Sequence, residues 1–211
     1  MKSDSTLRRR FVSGGSLVVL LCLAAPVAIG APISYVFSGP ASGSLGATPF
    51  AGAQVTVTST ADTANVTTFG GFAAIPCINL TSVTINITGV GSATTTGQNA
   101  LFDNHTVQAW GMNSGPCVGG GGDWLDVTNA LAATYGLVTS IGPTTGVQLT
   151  GGSVATTAGT LTFTAVPPTF QATLGVAAPV PTLSQWVLIL LGVALACMAV
   201  FVLRRRTLSS H

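Results

Sequence analysis

The chain has 211 residues with seven Lys or Arg and five Asp or Glu, a formal net charge of +2. The basic residues lie at positions 2, 8–10 and 204–206, so residues 31–179 carry four aspartates, no cationic residue and a formal charge of −4. A segment without Lys or Arg cannot neutralise phosphates, which excludes nucleic acids and anionic membrane surfaces as its main partners.

The first 30 residues have the pattern of a secretory signal peptide. Lys2 and residues 8–10 form a basic n-region, residues 17–25 an apolar h-region, and residues 28–30 a small-x-small cleavage site. We expect cleavage after Gly30. An uncleaved N-terminal anchor is the alternative.

Residues 31–179 are predicted to form one Gly/Thr-rich all-β domain with a sandwich-like fold. Three segments, at 54–58, 82–88 and 160–164, place Val, Ile, Leu or Phe on one face and mostly Thr or Asn on the other. Glycine and proline signals for turns lie between such segments, at 70–71, 89–91, 142–143, 151–152 and 167–168. Short strands at this spacing are typical of a β-sandwich, and the length suits a single core.

One segment is ambiguous. Residues 126–134 are the best candidate for a helix, with Asp126 as its N-cap. The alternative is that residues 135–138 continue an irregular strand.

Cys77 and Cys117 are the only cysteines of this domain. A pair of cysteines in an exported chain favours a disulfide, and closing its loop of about 40 residues contributes about 3–4 kcal/mol in the chain-entropy model. The alternative is a catalytic thiol with His105 as its only basic partner. We favour the disulfide.

The domain lacks the patterns of common catalytic sites. It contains no Glu, a single histidine at position 105, and neither a His-Glu-x-x-His nor a Gly-x-Ser-x-Gly pattern. The glycines at 119–122 resemble a phosphate loop, but no Gly-Lys-Ser/Thr follows, so we expect a flexible loop. We therefore predict a non-enzymatic protein with no catalytic residue and no cofactor.

Two binding sites are weaker alternatives. Oxygen ligands from residues 103–105 with Asp123 and Asp126 could hold Ca²⁺, but the spacing is irregular, and we favour solvated loop carboxylates and no metal site. Exposed tryptophans could stack on sugar rings, whereas aromatic residues of a sandwich are more often core. The aromatic residues concerned are Trp110, Trp124, Tyr35 and Tyr135.

The C-terminus contains a polar motif, an apolar segment and a basic cluster in that order. Residues 180–186 read Val-Pro-Thr-Leu-Ser-Gln-Trp, and residues 187–203 carry no charge. As a helix, 187–203 would be about 26 Å long, close to the ~30 Å hydrocarbon core of a bilayer. Arg204, Arg205 and Arg206 would then stop transfer and stay on the cytoplasmic side, leaving the domain outside.

This arrangement resembles the IPTL-CTERM protein-sorting domain, a relative of the PEP-CTERM signals of Gram-negative bacteria. The positions that match the family motif Ile-Pro-Thr-Leu-x-x-Trp-Gly are Pro181, Thr182, Leu183 and Trp186, while Val180 replaces the Ile and Val187 the Gly. The resemblance implies recognition and processing by a membrane-embedded exosortase.

We therefore expect a surface or extracellular-matrix protein that the general secretion machinery exports. Its domain would pass through the periplasm while the C-terminal signal lies in the inner membrane, and would then reach the cell surface. Two alternatives stay open, namely a carbohydrate-binding surface module that uses the tryptophans to bind an extracellular polysaccharide, and a permanently anchored single-pass envelope protein.

Overall fold

The computed structural model describes residues 30–176, 186–187 and 189–198. The predicted signal peptide, except for Gly30, and most of the predicted sorting signal lie outside these residues.

Residues 30–176 form β-strands with two short 3-10 helices between them. The strands are β1 (Pro32–Leu45), β2 (Thr48–Asp62), β3 (Val66–Phe69), β4 (Phe72–Asn79), β5 (Ser82–Ile87), β6 (Gly91–Thr94), β7 (Ala100–Asn104), β8 (Ala109–Asn113), β9 (Asp123–Thr128), β10 (Ile141–Thr145), β11 (Val147–Gly151), β12 (Ser153–Thr156), β13 (Gly159–Ala165) and β14 (Thr169–Leu174). The 3-10 helices are Thr63–Asn65 and Ala130–Ala133.

The strands form two antiparallel sheets. The first sheet has the order β10-β14-β1-β2-β5-β6, and β13 also pairs with β1 and carries β12 on its other side. The second sheet has the order β11-β9-β8-β7-β4-β3. The prediction of an all-β, sandwich-like fold is confirmed.

The three segments with period-two alternation lie in β2, β5 and β13, as predicted. In β2, for example, Val55 and Val57 are wholly buried whereas Gln54 is exposed. One face of the first sheet packs against the second sheet while the other meets solvent, so alternating side chains are buried.

Stacked aromatic rings join the two sheets. Trp110 of the second sheet stacks on Phe170 of the first, with ring centroids 4.4 Å apart, and both side chains are fully buried. Trp124 lies parallel to Phe163 in the same way, at 6.2 Å. The core therefore lies between the sheets.

Strand β1 changes partner in its middle. Its first half, Ile33 to Ser38, pairs with β14, and its last residues, Ser42 to Leu45, pair with β13. Pro40 lies between these two stretches, where its missing N–H breaks neither ladder. The preceding Gly39 has φ +135°, and a Cβ there would lie 2.7 Å from Cδ of Pro168, so only glycine fits.

The first sheet also closes on itself. Strand β6 at one edge meets β12 at the other through an isolated bridge between Thr95 and Thr156. Two backbone hydrogen bonds flank the bridge, from Thr96 N to Ala155 O and from Thr157 N to Thr94 O, each 2.9 Å long.

Two sequence predictions need correction. The Gly142–Pro143 pair, predicted as a turn, lies inside β10, where the register shifts between Ile141 and Thr144. The helix predicted for residues 126–134 is shorter, because Asp126 belongs to β9 and only Ala130–Ala133 is helical, with Asn129 as its cap. Residues 135–138 form no strand.

At the C-terminus, residues 186–187 and 189–198 are helical and exposed. Within the described part of the chain, no helix combines the length and the apolar character needed to cross a membrane. The predicted span of residues 187–203 extends beyond the described residues.

Candidate functional site

The predicted sorting motif lies largely outside the described residues. Residues 180–183 and the arginines at 204–206 belong to the part that is not described. Trp186 is described and is helical, with 54% of its surface exposed.

Cys77 and Cys117 form a disulfide, as predicted. Their Cα atoms are 5.7 Å apart, and both residues are wholly buried on the outer face of the second sheet. Ala100 and Phe102 of β7 complete this small apolar cluster, which is distinct from the core between the sheets. The bonded sulfurs exclude the catalytic-thiol alternative for this oxidised state.

The disulfide attaches residues 114–122 to the hairpin of β3 and β4. Cys117 N donates to Oδ1 of Asn79 at 2.9 Å, and Gly70 N donates to the carbonyl of Cys117 at 2.8 Å. Ser114 N and Oγ both donate to Gly122 O, at 3.0 and 3.1 Å, which closes the base of the loop. The glycines at 119–122, predicted as a flexible loop, therefore lie between the disulfide at Cys117 and the bonds of Ser114 to Gly122.

The acidic residues predicted as a possible calcium site do not come together. Asp103 lies opposite Trp110 in the β7–β8 ladder, whereas Asp126 lies opposite the next residue, Gly111. Successive residues of a strand point to opposite faces, so the two carboxylates lie on opposite sides of the sheet. Both are buried, so the prediction of solvated loop carboxylates is wrong for them, while Asp123 is exposed.

Asp103 is instead a buried acid next to a histidine. Its carboxyl Oδ2 lies 3.5 Å from Nε2 of His105, and it packs beside Trp110 on the core side of the sheet. Burial raises its pKa to about 8, because the low-dielectric interior disfavours the charged carboxylate. Asp103 is therefore largely protonated at neutral pH.

The residues around Asp103 bond to residues 134–140, the segment that joins the second 3-10 helix to β10. His105 Nε2 lies 3.0 Å from the carbonyl oxygen of Tyr135. The hydroxyl of Tyr35, in β1, donates to the carbonyl of Leu137 at 2.6 Å, and Leu137 is buried with φ +62°. Tyr135 donates its own hydroxyl to Thr139 O at 2.7 Å. These groups position backbone and offer no nucleophile.

Burial also raises the pKa of both tyrosines beyond its usual range. For Tyr135 the carboxyl group of Asp103 adds a second, smaller effect in the same direction. For Tyr35 the second cause is Tyr135. Both hydroxyls are therefore protonated donors throughout the ordinary pH range.

The aromatic residues do not form an exposed sugar platform. Trp110, Trp124 and Tyr35 have no exposed surface, and Tyr135 keeps 7%. The prediction that they belong to the core is confirmed. In the folded domain these tryptophans are not accessible to a sugar, so the alternative of carbohydrate binding through them is wrong.

Sequence reasoning missed the role of Asp103. Its only signal is its position in the segment 100–104, Ala-Leu-Phe-Asp-Asn, where three apolar residues precede Asp103 directly.

Comparison with known proteins identifies the C-terminal segment. Residues 178–206 match the IPTL-CTERM motif, as predicted from residues 180–186 and the arginines. The motif indicates a C-terminal sorting signal of an exported, envelope-associated protein. Neither a curated protein nor a solved structure matches the chain.

Proposed function

We propose that this chain is a non-enzymatic surface or extracellular-matrix protein of a Gram-negative bacterium, sorted and processed through its C-terminal signal by an exosortase-type membrane enzyme. The observation that carries this proposal is the IPTL-CTERM match at residues 178–206. The match begins four residues after β14 ends at Leu174. The domain and the signal are therefore neighbours in the chain without overlapping.

The chemistry of the domain supports export. A buried disulfide is typical of the periplasm and the cell exterior, where thiols are oxidised. The pattern at residues 1–30 provides a signal for the general secretion machinery.

The buried polar groups support a structural role. Asp103, His105 and Tyr135 belong to residue types that enzymes use, yet here Asp103 and Tyr135 are buried beside Trp110. The half-buried His105 lies within hydrogen-bond distance of the backbone carbonyl of Tyr135. Electrostatic stabilisation of an anionic transition state would also lack any Lys or Arg in residues 31–179.

The motif has a physical rationale as a protease substrate. A proline disfavours helix at the residue before it, and proteases bind extended backbone, so a proline in the motif suits recognition by a protease. Trp186 is exposed in the described helix, and indole is favoured at the membrane interface. Anchoring alone needs only apolar length and flanking charge, so it does not account for Pro-Thr-Leu-x-x-Trp.

The test is the intact mass of the protein at the cell surface, which shows where its C-terminus lies. In a strain with an active exosortase, wild-type protein is expected to lack residues after the motif, whereas Pro181→Ala with Trp186→Ala accumulates as uncleaved, membrane-inserted precursor. Ser184→Ala with Gln185→Ala is the matched control, since it changes the two variable positions and leaves processing intact. Surface protein that still ends at His211 would overturn the proposal and favour a permanent single-pass anchor.

A further inference from the structure

The first sheet protects its strand edges. Strands β6 and β12 bond to each other, as described above. Edge strand β10 contains Pro143, which lacks an N–H, and the side chain of Asn129 donates to the carbonyl of Thr145 and to Oγ1 of Thr144, both at 3.0 Å. Proline and side-chain caps of this kind prevent pairing with a foreign strand.

One edge of the second sheet is covered as well. Gln148 of β11 extends its amide to the backbone at the end of β13, with Nε2 donating to Thr164 O at 3.4 Å and Oε1 accepting from Val166 N at 3.2 Å. These bonds tie β11 to the end of β13 and so cover part of this edge.

The opposite edge, β3, has no such cover among the described residues. Its backbone bonds to β4 on one side, and Thr67 and Thr68 are exposed. Residues 63–79 contain no charged residue, and β3 contains no proline. The tight turn at Gly70 and Gly71, with φ +55° and +83°, keeps β3 paired to β4.

Two large apolar side chains lie on the segments next to this edge. Phe72, the first residue of β4, is 65% exposed, and Val118, beside the disulfide, is 83% exposed. The bond from Gly70 N to Cys117 O and the disulfide fix the loop of Val118 to the hairpin. The edge therefore combines free backbone groups with apolar surface that is already ordered.

We propose that β3 is a self-association edge, which pairs antiparallel with β3 of a second copy of this chain and joins two second sheets into one. Antiparallel strands related by a twofold axis satisfy each other's outward N–H and C=O groups, because the same edge serves both subunits. The axis passes through Thr67 or Thr68, so that residue lies opposite its own copy. With no charge in residues 63–79, identical edges meet without local repulsion.

The pairing is expected to be weak in dilute solution. A four-residue strand with Phe72 and Val118 buries less than the ~1,200 Å² of a typical stable interface. Confinement of copies to one surface raises their effective concentration and offsets this weakness. The confinement to one surface rests on the proposed function, but the pairing of β3 does not depend on that function. The mass measurement described above tests the proposed function separately.

The test is photo-crosslinking of the full-length chain in cells that produce it. A benzophenone amino acid at position 67 is expected to give a crosslinked homodimer, with residue 67 joined to residues 66–69 of the second copy. Mixing isotopically labelled and unlabelled chains shows that the link is intermolecular. Position 147 in β11 is the matched control, because Val147 is 71% exposed on an edge that Gln148 covers.

A variant completes the test. Thr67→Lys with Thr68→Lys places like charges opposite each other. With the benzophenone amino acid moved to position 69, this variant should reduce the yield of crosslinked homodimer at least tenfold. Val147→Lys should leave that yield unchanged. Unchanged near-ultraviolet dichroism of the buried tryptophans shows that the variants fold. A dimer that survives both lysines, a crosslink to a different protein, or no crosslink at position 67 would each overturn the proposal.

Discussion

The carboxyl Oδ2 of Asp103 lies 3.5 Å from Nε2 of His105, although Asp103 itself has no exposed surface. Burial raises the pKa of this carboxyl to about 8, whereas an unfolded aspartate titrates near 3.8. Between these values the folded protein keeps a proton that the unfolded chain has lost. The stabilisation from this group is therefore complete below pH ~4 and is lost as the pH rises towards ~8.

We predict that the free energy of unfolding decreases between pH ~4 and pH ~8 with a slope approaching about 1.4 kcal/mol per pH unit from this group. Asp103→Asn is uncharged at every pH, so it should remove this slope and be more stable than wild type at pH 8. Urea unfolding at a series of pH values measures both. The exposed Asp123→Asn serves as the control, and a parallel pH dependence of wild type and Asp103→Asn would contradict the prediction.

Breaking the disulfide is expected to destabilise the domain without unfolding the sheets at low temperature. Cys77 and Cys117 are 40 residues apart, which corresponds to about 3–4 kcal/mol in the chain-entropy model. Cys77→Ala with Cys117→Ala should lower the free energy of unfolding by that amount in urea. Cys197→Ser, at an exposed helical position, should have no effect. Equal midpoints for oxidised and reduced protein would show that the bridge carries no stability.

Gly111 is predicted to tolerate no side chain. A Cβ at this position of β8 would overlap the ring of Phe102 and a carboxyl oxygen of Asp126. Gly111→Ala should therefore cost about 2–3 kcal/mol through overpacking. Gly142→Ala is the control, since no atom lies within 4 Å of its added Cβ, and its effect should stay within about 0.5 kcal/mol. Thermal unfolding of both variants gives the comparison, and similar melting temperatures would refute it.

Neutralising the C-terminal arginines should cause a defect distinct from that of the motif variants. Replacing Arg204, Arg205 and Arg206 with Gln removes the positive charges that, under the proposed function, would retain this end in the cytoplasm. We expect a C-terminal tag to become accessible to external protease in spheroplasts, while the mass of any processed domain stays that of wild type. A tag that stays protected would show that the arginines do not set the orientation.

The parts of the fold that could be predicted from sequence are those with one buried and one solvated face. In β2, β5 and β13 the alternation of apolar and polar residues follows directly from that environment. The disulfide could be predicted from the count of cysteines together with the export signal, and the sorting motif from its order of elements.

The central strands of the second sheet could not be predicted in this way. All five residues of β8 are buried, because the core covers one face and the disulfide cluster or its loop covers the other. Burial on both faces removes the alternation on which the prediction depends. The burial of Asp103 has a second cause that sequence does not reveal, because the residues that pack around it include Tyr135, which is distant in sequence.

Pro143 shows a different limit. A proline is excluded only where its N–H is needed, and on edge strand β10 the ladder shifts register around it. Sequence alone does not reveal which strand is an edge.

The divided pairing of β1 makes completion of the first sheet depend on the last strands of the domain. Strand β1 is the first strand of the domain, yet it bonds to β13 and β14, the last two. In a chain that emerges from a translocation channel with its N-terminus leading, the side of β1 that pairs with β13 and β14 has no complete partner until Leu174 has passed. Closure of the first sheet is therefore a late event, which coincides with the arrival of the C-terminal motif a few residues behind. If a membrane enzyme processes the C-terminal signal, as we propose, it acts on a polypeptide whose last strand has only just become available to pair with β1.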